Sequence, residues 1–306
     1  MIRQAEGPGA QAGHRSGFGC LVGRPNVGKS TLTNALVGRK IAITSGRPQT
    51  TRHAIRGIVH RPDAQLVVVD TPGLHKPRTL LGERLDAVVR QTWTAVDVIG
   101  FCVPADEPVG PGDRYIAREL AELRRTPVLA IVTKTDAAPR EVLARSLTQV
   151  AQLGDFAEIV PVSARTEHQV GLLADLLIAR LPQGPALYPD GELTDEPEQV
   201  MIAELVREAA LDGVRDELPH SIAVTVEEMG PRKGSDLIDI YATLFVERQS
   251  QKAIVLGPKG SRLKSVGTTS RRQIEALLGS RVYLDLHVAV LKDWQRDPRH
   301  LRRLGF

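Results

Sequence analysis

The stretch GRPNVGKST at residues 23–31 constrains the fold of this chain more than any other part of it. It contains the pattern G-x-x-x-x-G-K-[ST], with Gly23, Gly28, Lys29 and Ser30 at the fixed positions. The two glycines let the backbone turn tightly and bring its N–H groups against phosphate oxygens with no Cβ in the way. Lys29 is a point charge for β- and γ-phosphates, and the Ser30 hydroxyl is a ligand for Mg²⁺. The flanks agree with this reading. FGCLV at 18–22 is a short apolar run that predicts a buried strand, and STLTNALVG predicts a helix closed by Gly38. A strand, a glycine-rich loop and a helix N-terminus together make an anion site.

Three further motifs follow in order, each after an apolar run. LVVVDTPGL at 66–74 ends a β-branched strand in Asp70, and Pro72 and Gly73 stop it. An aspartate at the carboxyl end of such a strand lies beside the phosphate loop and can hold a Mg²⁺ water. The Gly73 N–H is open to a γ-phosphate because no side chain blocks it. VLAIVTKTD at 128–136 ends in Lys134, Thr135 and Asp136. The Asp136 carboxylate can accept from N1 and N2 of guanine, a pair that adenine does not offer, and the Lys134 stem can cover the base plane. EIVPVSA at 158–164 brings Ser163 and Ala164 to the end of one more strand, where small residues let backbone N–H groups approach the guanine O6. D-x-x-G or S-A alone is weak. The ordered set is a strong signal for guanine specificity.

These motifs resemble the translation-factor-like GTPases, and closely the Era family. The resemblance rests on GRPNVGKSTLTNALVG, on SGRPQTTRH at 45–53, on DTPGLHKP at 70–77 and on a second set of motifs near the C-terminus. It covers nearly the whole chain after residue 17. Carried onto this sequence, it implies a nucleotide site of Gly23, Arg24, Pro25, Asn26, Val27, Gly28, Lys29, Ser30 and Thr31, then Asp70, Thr71, Pro72, Gly73 and Leu74, and the base-binding positions Thr133 to Asp136, Ser163 and Ala164. There is one departure. The family usually has N-K-x-D at the base-binding strand, and its asparagine ties the base loop to the phosphate loop and can reach guanine N7. Here Thr133, shorter and without an amide, holds that position.

Many GTPases place a water-orienting glutamine just after D-x-x-G. Here the residue is Leu74, which cannot orient water, so slow intrinsic hydrolysis is expected. Asn26 matches an asparagine that ligates K⁺ in several relatives of Era; a plain turn residue is the alternative. A K⁺ near the β/γ bridge would supply charge that an arginine finger supplies elsewhere. The family pattern favours Thr51 on Mg²⁺ and Thr50 facing K⁺. Lys29, Asn26, Thr51 and Gly73 are the expected catalytic positions.

Residues 18–181 alternate strand and helix signals, which predicts a mostly parallel sheet covered on both faces by helices. The first 17 residues lack an apolar stretch and read as a disordered tail rather than a signal peptide. Pro182, Pro185, Pro189 and Pro197, with several acidic residues, mark 182–198 as a linker. Residues 199–306 then predict the order α-β-β-α-α-β, an α+β domain. VLGPKGSRLKSVG looks like the G-x-x-G signature of a KH domain of the bacterial (type II) kind. Gly257, Pro258, Lys259 and Gly260 sit between two predicted helices, and two glycines there let a sugar-phosphate backbone come close. Arg262, Lys264, Arg271 and Arg272 could follow that backbone, while Leu263, Val266, Ile274 and Leu277 have the spacing of a core face. Trp294 either stacks on a base or anchors the core.

Charge supports a polyanion partner. The chain carries a net +4, but residues 230–306 hold fifteen Lys and Arg against seven Asp and Glu, so the excess lies in the second domain. Cys20 and Cys102 fall in predicted strands, where buried free thiols and a reducing compartment are expected. No run approaches the roughly 20 apolar residues of a membrane span. The resemblance implies a GTP- and GDP-binding, Mg²⁺-dependent switch that binds the 3′ end of small-subunit ribosomal RNA during assembly of that subunit. A cytoplasmic protein is expected, with peripheral association at the inner face of the membrane left open and no oligomer indicated. A P-loop ATPase or kinase is disfavoured by the T-K-T-D and S-A pair. A nucleotide-gated RNA chaperone with negligible turnover stays open, and the single phosphate loop nearly excludes a double-GTPase ribosome factor that also ends in a KH-like domain.

Overall fold

The computed structural model describes residues 13–44, 51–74, 79–214 and 218–306. By packing they form two units, the first of residues 13–42, 51–74 and 86–195, the second of 43–44, 79–85, 196–214 and 218–306.

The first unit is built on six strands: β1 (Arg15–Val22), β2 (Ile55–Arg61), β3 (Ala64–Asp70), β4 (Val98–Pro104), β5 (Val128–Thr133) and β6 (Glu158–Pro161). Their order is β2-β3-β1-β4-β5-β6, parallel throughout except that β2 runs antiparallel to β3. The exception has a covalent cause. Arg61 pairs with Ala64, so only two residues join β2 to β3, and a crossover to a parallel strand needs a dozen or more.

Every residue of β3 and β4 is buried, as expected of strands covered on both faces. Strand alternation sorts the side chains into two cores. Val69, Ile99, Phe101, Val103 and Val132 face α2 (Leu80–Ala95), α3 (Pro111–Ala121) and α4 (Arg140–Ala151), where Trp93, Ile116 and Val150 meet them. Leu66, Val68, Val98, Leu129 and Ile131 face α1 (Lys29–Val37) and α5 (Val170–Ile178), where Leu32, Leu36, Leu173 and Leu177 meet them. Burying one such side chain contributes about 1.5–3 kcal/mol. The two cysteines lie in opposite cores, Cys20 in the first and Cys102 in the second, so neighbouring strands carry them without a disulfide. Burial raises both thiol pKa values, that of Cys102 to about 12, which leaves them unreactive.

β1 begins at Arg15, inside the segment expected as a tail; residues 1–12 lie outside the described residues. Arg15 and Ser16 carry no strand signal of their own, but they extend the register with β3 at Ala64 and Gln65. Residues 182–195, expected to act as a linker, are bound to this unit. Gln65 Oε1 accepts from the N–H groups of Leu187 and Tyr188 at 2.6 and 2.8 Å, and its Nε2 donates to Tyr188 O at 2.9 Å. The Ile58 N–H donates to Leu193 O at 2.9 Å, so this segment covers part of the free edge of β2.

The second unit runs α6 (Glu198–Leu211), α7 (Leu218–Ser221), β7 (Ala223–Pro231), β8 (Ile238–Val246), α8 (Gln249–Leu256), α9 (Ser261–Leu278), β9 (Val282–Val290) and α10 (Pro298–Arg303). Without the short α7 and the terminal α10, this is the expected α-β-β-α-α-β order. The sheet order is β7-β8-β9, with β8 antiparallel to β7 and parallel to β9. Ile202, Val206 and Ala210 of α6, Val255 of α8, and Val266 and Ile274 of α9 cover the face formed by Ile240, Leu244 and Val288. Trp294 anchors the other face. Its side chain is fully buried beside Phe245 and Leu301, stacks on Phe306 at 5.9 Å, and its indole N–H donates to Ser221 O at 3.0 Å. The base-stacking alternative for this residue is excluded. Trp294→Ala should therefore destabilise this unit by about 3–5 kcal/mol, the usual cost of deleting a buried aromatic. Guanidinium denaturation followed by circular dichroism measures it, and a loss under about 1 kcal/mol would contradict the anchoring role.

Candidate nucleotide site and nucleic-acid groove

The four motifs meet at the carboxyl ends of the parallel strands. β1 delivers the loop 23–28, β3 ends at Asp70 opposite Leu21, β5 ends at Thr133 opposite Pro104, and β6 leads to Ser163. Ligands bind at this edge of an open α/β sheet.

The loop is held by close backbone contact. A Cβ on Gly23 would stand 2.6 Å from the Cys102 carbonyl oxygen, and one on Gly73 would stand 2.7 Å from Pro25 N. Gly28 caps α1 at φ 97°, a conformation that L side chains avoid, and Asn26 is left-handed at φ 64°. Lys29 is buried and donates to the carbonyls of Gly23 and Arg24 at 3.2 and 2.9 Å. Arg24 turns away to α3, with Nε 2.8 Å from Asp113 Oδ1 and a second contact to Glu107. Only its backbone is left for a phosphate. Val27 is buried, while Ser30 and Thr31 start α1.

Thr51 joins Ser30 and Asp70. Its Oγ1 lies 2.8 Å from Ser30 Oγ and 3.3 Å from Asp70 Oδ2. Asp70 is fully buried and its Oδ1 has no hydrogen-bond partner. Leaving a carboxylate oxygen unpaired in the interior is costly, so the donor set of two hydroxyls and one orphaned oxygen fits a hydrated divalent cation. Burial raises the Asp70 pKa, opposed by hydrogen bonds from Ser30 and Thr51 and by the Lys29 charge. Burial lowers the Lys29 pKa, opposed chiefly by Asp70. Thr50 lies outside the described residues. Thr71 is buried and donates to Leu21 O at 3.0 Å, Pro72 is buried, and Leu74 packs into the α2–α4 core with Val22 and Val69.

At the base end, Thr133 Oγ1 donates to Val27 O at 2.6 Å. The tie between base loop and phosphate loop therefore persists with a hydroxyl in place of an amide. Lys134 is left-handed at φ 56°, and its ammonium lies 3.4 Å from Asp106 Oδ2. Thr135 and Asp136 form a 3₁₀ turn. Ser163 Oγ donates to Asp136 Oδ1 at 2.7 Å and accepts from the Thr166 N–H at 3.1 Å. Ala164 follows, half-buried. Asp106, Asp113 and Thr166 carried no motif signal, and only the fold brings them here.

In the second unit Gly257–Gly260 forms the turn between α8 and α9, with Pro258 and Lys259 exposed. Gly257 is at φ 68°, and a Cβ there would stand 2.7 Å from Arg262 Cβ. A groove of about 430 Å³ runs beside this turn, walled by Gly260, Leu263, Lys264 and Arg271 on one side and by Tyr283 and Leu286 of β9 on the other. Sequence reasoning missed the β9 wall, because only sheet topology makes β9 an edge strand. Of the four expected cations, Lys264, Arg271 and Arg272 are exposed, and the first two line the groove. Arg262 does not. Its guanidinium donates to the carbonyls of Asp212 at 2.5 Å and Ala210 at 3.2 Å, closing the C-terminal end of α6. Val266 and Ile274 are buried core residues, with Leu263 and Leu277 partly buried.

Fold and site together define a P-loop GTPase with a KH unit. A family model described as 50S ribosome-binding GTPase matches residues 19–134, and one described as KH domain matches 217–295. GTPase Era of Streptomyces coelicolor is 69% identical over 97% of this chain and 96% of its own length. GTPase Era of Nocardioides is 62% identical over the whole of both chains. The crystal structure of Era with MgGDPNP and nucleotides 1506–1542 of 16S ribosomal RNA is 35% identical with a TM-score of 0.91, covering 95% of this chain and 99% of that one. Aquifex aeolicus Era in a variant form bound to GDP·AlF4⁻ matches equally well. The chain belongs to the Era family of GTPases.

The Gly73–Pro25 contact generates a test. Gly73→Ala cannot keep it, and the loop that presents the Gly73 N–H must shift. Binding of a GTP analogue should weaken about tenfold, the worth of one charge-assisted hydrogen bond, with GDP affinity nearly unchanged. Titration with fluorescent nucleotides measures both. Equal weakening of GDP and GTP analogue would place Gly73 away from the γ-phosphate.

Proposed function

We propose that this GTPase is a nucleotide-gated switch that binds the 3′ end of small-subunit ribosomal RNA and assists assembly of that subunit in the cytoplasm. One observation carries the reading: the phosphate loop and guanine-type base loop are joined in one chain to a G-x-x-G groove, and a protein of the same fold, Era, holds MgGDPNP and 16S nucleotides 1506–1542. The loop N–H groups and Lys29 hold the β- and γ-phosphates. Ser30 and Thr51 ligate Mg²⁺, and Asp70 accepts from its waters, which satisfies the orphaned oxygen. The Gly73 N–H meets the γ-phosphate, and Asp136 accepts from guanine N1 and N2. Loss of the γ-phosphate on hydrolysis releases the loops at 45–53 and 70–79, of which 45–50 and 75–78 lie outside the described residues; 80–82, expected to continue the second loop, are the first turn of α2. Peripheral membrane association adds nothing that this reading needs.

The RNA contact is tested by replacing Pro258 and Lys259 with aspartate. Both are exposed, and aspartate tolerates the left-handed backbone of Lys259 at φ 51°. Like charge then stands where a phosphate backbone approaches. RNA binding should be lost while GTP affinity stays at the parent value. Filter binding of a strand from the 3′ end of small-subunit ribosomal RNA, with GTP analogue or GDP at two salt concentrations, reads this out. Full binding by the double variant would end the groove assignment, and identical binding in both nucleotide states would end the switch.

Hydrolysis needs positive charge at the β/γ bridge, and Leu74 supplies no polar group. We assign that role to K⁺ held by Asn26. GTP turnover should be faster in KCl than in NaCl, and Asn26→Gly should abolish the difference. Glycine keeps the left-handed backbone of position 26 without strain and removes only the amide. Equal wild-type rates in both salts would return Asn26 to a turn residue.

A further inference from the structure

We infer that this chain reads guanine through its Watson–Crick edge and that Thr133 gives N7 no hydrogen bond. The inference rests on the guanine reading above and sharpens it. Thr133 ends β5 directly under the phosphate loop: a Cβ on Gly28 would stand 4.0 Å from Thr133 Cβ. The residue is 5% exposed. Two oxygens surround its hydroxyl, Val27 O at 2.6 Å and Val103 O at 3.4 Å, and both are carbonyls that only accept. A hydroxyl has one proton, and here it goes to Val27 O.

Guanine N7 is likewise only an acceptor. A threonine whose proton is committed to the loop has nothing to donate to it. An asparagine amide carries two protons, so it can serve loop and base together. Thr133 keeps the contact to the loop and gives up the contact to the base.

The opposite edge is reinforced. The Thr166 N–H donates to Ser163 Oγ at 3.1 Å, which turns the Ser163 proton toward Asp136 Oδ1 at 2.7 Å. That carboxylate is held in one orientation and retains lone pairs for N1–H and N2–H. Discrimination is thereby concentrated on Asp136, with Ser163 as its positioning residue. Guanine nucleotides altered at N7 become full ligands of this site.

The test compares GDP with 7-deaza-GDP, in which a C–H replaces N7, by calorimetric titration of the full chain. Wild-type affinities should agree within about twofold, less than one ordinary hydrogen bond contributes. Thr133→Asn should prefer GDP by about fivefold, the fold-change of one such bond. Thr133→Val keeps the shape, drops the hydroxyl, and should weaken both ligands together at an unchanged ratio. A wild-type preference for GDP above about twofold overturns the inference and requires no variant to fold. A Thr133→Asn ratio that stays near one also overturns it, because position 133 then does not face N7. Loss of preference for GDP over ADP has a different signature and would overturn the guanine reading itself.

Discussion

The backbone of residues 23–28 must keep one shape, and the rest of the nucleotide site depends on it. N–H groups bind phosphate well only when they point inward before the ligand arrives, so that no reorganisation is needed on binding. This loop is fixed from several sides. Thr133 holds the Val27 carbonyl from β5, Gly73 presses against Pro25 from the loop after β3, and the Cys102 carbonyl closes on Gly23 from β4. Arg24 adds a side-chain tether to Asp113 at the start of α3. The three backbone contacts come from β5, β4 and the loop after β3, and the tether from α3, so the loop's shape is a property of the whole sheet and its helix.

That sheet can exert such control because it is dry and covered on both sides. Buried strands cannot end in the interior with polar groups unpaired, so the carboxyl ends are where charge gathers. Lys29 and Asp70 show the result. Burial opposes the charge on each, and each offsets part of the other's penalty. On the proposed function, a polyphosphate with its cation would complete the balance, adding negative charge beside Lys29 and positive charge beside Asp70.

The second unit solves a different problem with similar means. A sugar-phosphate backbone needs a shallow groove with glycine at its lip and cations along its wall. On the proposed function, the Gly257–Gly260 turn ahead of α9 gives the lip, α9 the cations, and the edge strand β9 an apolar wall in Tyr283 and Leu286. Arg262 shows how a basic residue in a basic helix can be structural. It sits one residue into α9 and closes the end of α6, while Lys264 and Arg271 remain free to line the groove.

The sequence alone determined what local rules control. The strand–loop–helix phosphate site, the order of the base-binding motifs, the alternation of elements and the α-β-β-α-α-β order all follow from short-range patterns. Such patterns act within a few residues, through glycine sterics, turn closure and the periods of buried faces. Tertiary structure decided what depends on partners far along the chain. Thr133 looked like a weakened asparagine until the fold placed Val27 O, 106 residues away, beside its hydroxyl. Ser163 looked merely small until it met Asp136. Trp294 was open between core and surface, and the Ser221 carbonyl and Phe306 ring settled it. Residues 182–195 had the composition of a linker, yet Gln65 and the edge of β2 bind them. A hydroxyl or an indole N–H has the same chemistry in any sequence. Which acceptor it reaches is fixed only when packing brings distant backbone within hydrogen-bond distance.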